Sequence, residues 1–226
     1  GTLWVGMRPG LFQVVGEAEL DYLAGLGKAE REEAVHRLFT CDKTSVVIVA
    51  NGKKPSSDLV TAADKASLAL FSSALPSPVV IDHLQYYLTR ALAPRVTVHG
   101  VYMEVMGMGV LITGESGIGK SELALELLSR GHRMVADDAV DLSRVGPDTV
   151  IGRCPRMLCD FLEVRGLGIL NVRAMYGDTA VRPEKTVRLF VHLEPLTPER
   201  MKKVDRLQVE QKTRSILDVD IPEVVL

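Results

Sequence analysis

Val110-Leu-Ile-Thr-Gly-Glu-Ser-Gly-Ile-Gly-Lys-Ser-Glu-Leu-Ala-Leu-Glu-Leu-Leu-Ser129 carries an apolar run through a glycine-rich turn into a stretch of helical period. Val110–Thr113 reads as a buried strand. Leu123, Ala124, Leu127 and Leu128 fall on one face of a helix that Gly131 closes. Between them, Gly114-Glu115-Ser116-Gly117-Ile118-Gly119-Lys120-Ser121 fits the phosphate-loop pattern G-x-x-x-x-G-K-[ST], whose meaning depends on that strand and that helix. Its glycines let backbone N–H groups turn inward on a polyanion with no Cβ in the way. The helix adds the partial positive charge of its N-terminus. Lys120 brings a full charge for the terminal phosphates, and Ser121 offers a hydroxyl to Mg²⁺. Residues 114–121 are therefore expected to bind nucleotide in an α/β protein, while the acceptor of the phosphate stays open.

Working outward, Met134-Val-Ala136 is a short strand that delivers Asp137 and Asp138 at its C-terminal end, where ligands of α/β sheets bind. A carboxylate there can hold metal or accept a hydroxyl proton. Adjacent carboxylates point apart, so one can face the phosphates while the other serves the fold. On the other side, Val96–Val105 alternates like a hairpin pair of strands, and Met106–Gly109 turns into the strand before the loop. His99 lies on this sheet; a single strand histidine is more often structural, so its role stays open. Asp141–Val150 reads as strand, turn and strand around Gly146-Pro-Asp148. Phe161–Arg173 reads as an edge strand with a bulge at Gly166 and Gly168. Leu189–Glu194 is another strand, and the charged residues 198–214 default to a solvated face.

Before residue 94 the pattern is a second, smaller α/β unit. Leu3–Val5, Leu11–Val15, Ser45–Ala50 and Ser67–Phe71 are its expected strands. Helices are expected over 17–26, over 59–65 with Asp58 as cap, and over 78–92 with Ile81, Leu84, Tyr87, Leu88 and Leu92 buried. The alternation predicts a parallel sheet, with Pro94 at the boundary between domains 1–93 and 94–226.

Composition bounds the rest. A net charge of −2 over 226 residues argues against a nucleic-acid partner. With 46% hydrophobic and 25% charged residues the chain is ordinary for a soluble globular protein. No apolar run approaches the ~18 residues of a membrane span and no signal pattern is evident. Cys41, Cys154 and Cys159 have neither zinc-site nor disulfide-framework spacing; each reads as a small buried hydrophobe, and a reducing cytoplasm fits them.

Four stretches together resemble the bacterial HPr kinase/phosphorylase family: Val98-His-Gly-Val101, Gly114–Glu122, Arg130-Gly-His-Arg-Met-Val-Ala-Asp-Asp138 and Leu162-Glu-Val-Arg-Gly-Leu-Gly-Ile-Leu-Asn171. The last resembles the family signature and is far more specific than a phosphate loop. The resemblance implies a PEP-carboxykinase-like phosphate-loop kinase domain behind the small N-terminal domain. The activity implied is phosphorylation of a serine of HPr, the phosphocarrier of the sugar phosphotransferase system, with ATP or pyrophosphate as donor, and phosphorolysis of the product. His99, Lys120, Asp138 and Arg206 would then be catalytic, with Asp138 as acid/base and Asp137 in reserve for it; Ser121 and Glu163 would hold Mg²⁺. A cytoplasmic homohexamer is implied, with no membrane partner. The family's Pro-Val-x-Pro-Gly-Arg-like loop, linked to phosphorolysis, and its C-terminal helices are expected to follow Leu226, and the stretch around Val5–Pro9 is expected to be shortened. The rival readings are a small-molecule kinase or carboxykinase and a nucleotide sensor that transfers nothing; His99, Asp138 and residues 162–171 speak against the sensor.

Overall fold

The computed structural model describes residues 2–5, 10–40, 44–195 and 212–226. The chain divides into two units, Gly1–Leu92 and Ala93–Leu226. In the first, strands β1 (Thr2–Val5), β2 (Gly10–Val15), β3 (Thr44–Val49) and β4 (Ala69–Ser72) form one sheet in that order. The pairs β2/β3 and β3/β4 are parallel; β1 runs antiparallel to β2. The parallel strands are joined by helices, as parallel neighbours require. Helices α1 (Glu17–Gly25), α2 (Lys28–Thr40) and α3 (Ser57–Ala66) connect them, and α4 (Ser77–Ala91) follows β4. One face of the sheet packs Val15, Val47 and Val49 with Val35, Phe39, Leu59 and Ala63 of the helices; the other packs Val14, Ile48 and Ala50 on Val80 of α4.

Three expectations change here. Lys28-Ala-Glu-Arg-Glu-Glu-Ala-Val-His-Arg-Leu-Phe-Thr40 is a helix that periodicity does not announce, because it is charged almost throughout and buries only Val35 and Phe39. Asp58 is no cap: it lies in the first turn of α3, after the N-cap Ser56, and Arg31 Nε holds its carboxylate at 2.6 Å. On α4, Tyr87 and Leu92 are 68% and 53% exposed. This helix of fifteen residues, about 22 Å long, packs on β1, β2 and β3, and burial is confined mainly to Val80, Ile81 and Leu84.

The second unit is built on β5 (Arg95–His99), β6 (Val101–Val105), β7 (Met108–Gly114), helix α5 (Lys120–Ser129), β8 (Arg133–Ala136), β9 (Ala139–Gly146) and β10 (Thr149–Arg153). A hairpin of β11 (Phe161–Val164) and β12 (Gly168–Asn171) comes next, then the short helix α6 (Val172–Tyr176), β13 (Glu184–Leu193), β14 (Lys212–Ile216) and β15 (Val219–Val225). The strand order is β5-β9-β10-β13-β7-β6-β8, with β15 pairing β13 and β14. The central strands are buried on both faces. Val101, Met103, Val110 and Ile112 meet Ala124 and Leu128 of α5, while Tyr102 and Leu111 face Leu142, Phe190 and Ile221. Tyr102 donates its hydroxyl to Lys185 O at 2.8 Å, and a Cβ at Gly152 would stand 2.6 Å from its ring. That glycine is therefore there for space.

The expected β5/β6 hairpin does not form. Instead β6 pairs with β7 through Met106 and Gly107, whose φ values of 49° and 81° are those of a type I′ hairpin turn. β5 pairs with β9. Nor is Phe161–Arg173 an edge strand: β11 and β12 close on each other as a separate two-stranded sheet. Among the described residues no helix is long and apolar enough to cross a membrane.

Candidate active site

β7 ends at Gly114, which lies against Leu193 of β13; a Cβ there would stand 2.6 Å from Leu193 O. The chain then folds over Gly117 and Gly119, with φ of 79° and 108°, and enters α5 at Lys120. The Schellman bonds at the far end of α5, Gly131 N to Leu128 O at 2.9 Å and His132 N to Leu127 O at 3.0 Å, make Gly131 the C′ residue. Lys120 is buried, and its ammonium donates to Gly114 O at 3.1 Å and Glu115 O at 2.9 Å. The loop's own carbonyls thus aim the lysine across the glycines. At the loop's entrance Thr113 Oγ1 and His192 Nδ1 are bonded at 2.9 Å, fixing the end of β7 to β13.

A cavity of about 460 Å³ opens over this loop, and His99, Ser116, Gly117, Gly119, Lys120, Ser121, Asp137, Asp138, Glu163 and Arg165 are among its lining residues. Of the residues singled out for catalysis and metal binding in the sequence, His99, Lys120, Ser121, Asp138 and Glu163 meet here; Arg206 lies outside the described residues. Gly114, Glu115 and Ile118 complete the loop without lining the cavity.

The two aspartates separate in the turn between β8 and β9. Asp137 is buried and its Oδ2 accepts the Glu163 N–H at 2.8 Å. Burial pushes its carboxyl above the ordinary range, and that hydrogen bond works against the shift. Asp138 faces the cavity with its Oδ1 3.0 Å from His99 Nδ1, both side chains more than half exposed. Its φ is 66°, and Ala139 N donates across it to Asp137 O at 2.8 Å. Asp138 is therefore the centre of a γ-turn, a strained backbone state of the kind that clusters at functional sites.

Arg165 escaped the sequence reading. Its guanidinium stands 3.4 Å from where a Cβ on Gly117 would be, so the β11–β12 turn brings a cation against the phosphate loop. In the sequence it stood beside two glycines in Val164-Arg-Gly-Leu-Gly168, within the stretch that resembles the family signature, but with no role given to it. Among the described residues no cluster of three or more His, Cys, Asp or Glu side chains stands ready to hold a metal alone. Ser121 and Glu163 supply hard oxygen donors to one cavity, a set that fits a cation taking its remaining ligands from phosphates and water, as Mg²⁺ does.

Residues 90–226 match the family model described as HPr Serine kinase C-terminal domain, and residues 7–88 match the one described as HPr Serine kinase N terminus. The chain belongs to the HPr serine kinase family. It is 49% identical over 220 residues to an HPr kinase/phosphorylase of Chromobacterium violaceum, covering 97% of this chain and 69% of that protein. It is 47% identical over 219 residues to the one from Xylella fastidiosa, covering 96% and 69% respectively. The structure titled Hpr(Ser) kinase/phosphatase from Coxiella burnetii matches with a TM-score of 0.53 and 37% identity, covering 58% of this chain and 85% of that one. As a family member the chain is an enzyme, a serine kinase/phosphorylase that uses a nucleotide as phosphoryl donor.

Proposed function

We propose that this chain phosphorylates a serine of HPr from ATP or pyrophosphate and removes that phosphate by phosphorolysis in the same cavity, thereby regulating sugar uptake and carbon metabolism. The observation that carries the reading is the His99–Asp138 pair at 3.0 Å, facing the cavity that the phosphate loop floors. A nucleotide sensor has no use for an exposed carboxylate held opposite a histidine beside its loop.

Residues 114–121 cradle the donor phosphates with backbone N–H groups, and Lys120 and His99 neutralise charge on the moving phosphoryl group. Asp138 takes the proton from the serine hydroxyl in the forward direction and returns it in reverse. Its backbone strain fixes the carboxylate toward the cavity. Ser121 and Glu163 would hold Mg²⁺, which when bound supplies charge neutralisation between the donor phosphates. Asp137 is a positioning residue: through the Glu163 amide it holds the β11–β12 hairpin at the loop. Arg206 completes the catalytic set by family position. The enzyme works as a cytoplasmic homohexamer.

Incubating the chain with Mg²⁺, labelled ATP and purified HPr, then mapping the label by mass spectrometry, tests this reading. Label on one HPr serine is expected. ATP binding without transfer to HPr, but with transfer to a small metabolite, would favour the carboxykinase-like alternative.

A further inference from the structure

Cys154 and Cys159 occupy the two ends of the turn that joins β10 to β11. Leu158 N donates to Pro155 O at 2.9 Å, which folds the turn back on itself. Cys159 Sγ then donates to Pro155 O at 3.3 Å and lies 3.9 Å from Cys154 O. Both cysteines are free and half-buried. Burial first, and then the neighbouring Cys159, pushes the Cys154 thiol up to about 12, and Cys159 Sγ reaches back across the turn to the Cys154 backbone. The crown of the turn is open, Met157 being 94% exposed, which lets a small oxidant approach.

The turn is coupled to the cavity through its C-terminal neighbour. Asp160, next to Cys159, has φ of 70°; its carbonyl accepts Val172 N at 2.8 Å and its carboxylate holds Arg173 Nε at 2.7 Å. Asp160 thus ties the base of the hairpin that carries Glu163 and Arg165 to α6. A displacement of Cys159 is passed to that tie directly.

We propose that Cys154 and Cys159 form a peroxide-responsive thiol pair whose disulfide shifts the Asp160 tie and reversibly lowers turnover. Cys159, as thiolate, attacks one oxygen of hydrogen peroxide, the O–O bond breaks, and the sulfenic acid forms with release of hydroxide. The Cys154 sulfur then displaces the sulfenic oxygen, an S–S bond forms, and water leaves with the Cys154 proton. The released hydroxide takes up the proton lost by Cys159, so two thiols and one peroxide give one disulfide and two waters. The two cysteines close one short turn, with Cys159 Sγ already folded back onto Cys154 and Pro155, which favours closure over further oxidation.

The test uses the whole chain carrying Cys41→Ser, so that only the pair can react. After stoichiometric hydrogen peroxide, a mass lower by about 2 Da and a cross-linked 154–159 peptide are expected, the mark of a disulfide rather than a stepwise oxygen adduct. Phosphotransfer to HPr should fall by about tenfold and return with dithiothreitol, while Cys154→Ser and Cys159→Ser variants keep their turnover under the same peroxide. Oxygen adducts without the cross-link would overturn the pair, and a cross-link with unchanged turnover would overturn the switch. The effect on turnover rests on the HPr kinase reading, whereas the mass does not: a chain inactive before peroxide sinks that reading and still reports the thiol chemistry.

Discussion

His99 Nδ1 stands 3.0 Å from Asp138 Oδ1 although the whole phosphate loop and its helix lie between them in sequence. Antiparallel pairing of β5 with β9 sets His99 opposite Ala139, and the γ-turn at Asp138 swings the carboxylate back to meet it. Both side chains are exposed, so the contact adds little to stability. Asp138→Ala is expected to cut phosphotransfer by about 10²–10⁴-fold, the share of a general base, with ATP affinity unchanged. Steady-state turnover and nucleotide titration check this; near-normal transfer in the variant would remove Asp138 from the mechanism.

The same turn makes a second prediction. A non-glycine residue held at φ of 66° is strained. Asp138→Gly relieves that strain, so it should cut transfer as far as Asp138→Ala does while leaving stability equal or raising it by up to about 1 kcal/mol. Urea unfolding of the two proteins decides it. A clear loss of stability would mean that contacts of the aspartate side chain, and not the demands of catalysis, hold the turn in place.

Asp137 does different work from its neighbour. Its removal in Asp137→Ala takes a buried carboxylate from the partly buried Glu163 N–H, a loss of about 1–3 kcal/mol. Asp137→Asn keeps an oxygen for that N–H, and should recover most of the stability and part of the turnover. If Asn were as inactive as Ala while equally stable as wild type, Asp137 would be acting on the proton rather than on the hairpin.

How far the sequence carried these conclusions differs by element. Val110–Leu128 was legible because the strand, the glycine spacing and the helical period are all local, and each is dictated by backbone chemistry. That Asp137 and Asp138 part company was also expected, but from strand alternation, whereas a γ-turn between β8 and β9 does it, and which of them would turn to His99 was not legible. That choice depends on the pairing of β5 with β9, a contact between distant segments. Misreading β5 and β6 as a hairpin had the same origin: alternation marks strands, but only the turn at Met106-Gly107 names their partner. The helix over Lys28–Thr40 was missed because its surface is charged and two apolar residues anchor it. Arg165 was missed because its importance comes from where the β11–β12 turn lies, over Gly117.

At the opposite end of β7 from the phosphate loop, Glu104 gathers Arg133 at 2.9 Å, Lys185 at 2.8 Å and Arg182 at 3.5 Å. These cations, Lys185 foremost, hold its carboxyl below the ordinary range. The carboxylate is buried, and it joins β6 to β8 and β13. Glu104→Gln removes the charge that three cations share, and should cost about 1.5–3 kcal/mol, the range for hydrogen bonds to charged groups. Because the cluster is far along the strand from the cavity, ATP affinity should hold at temperatures where the variant is folded. Thermal unfolding with and without ATP separates the two effects.

In the N-terminal unit, Arg31 grips Asp58 through Nε at 2.6 Å and Nη2 at 3.2 Å, a two-point pairing between α2 and α3. The guanidinium holds the Asp58 carboxyl down at about 2, against an ordinary 3.8. An acid whose value is lower in the folded chain than in the unfolded one contributes stability that is complete above the unfolded value and is lost as pH falls toward the folded one. The contribution should therefore be constant above about pH 5 and fade from there to about pH 2. Asp58→Asn lacks that titration, so the difference in urea midpoint between wild type and variant should shrink across this window. The pairing stands beside the packing of Val35 and Phe39 of α2 on Leu59 and Ala63 of α3. A midpoint difference that stays constant from pH 6 down to the acid limit would show that Asp58 acts through packing and not through the charge on Arg31.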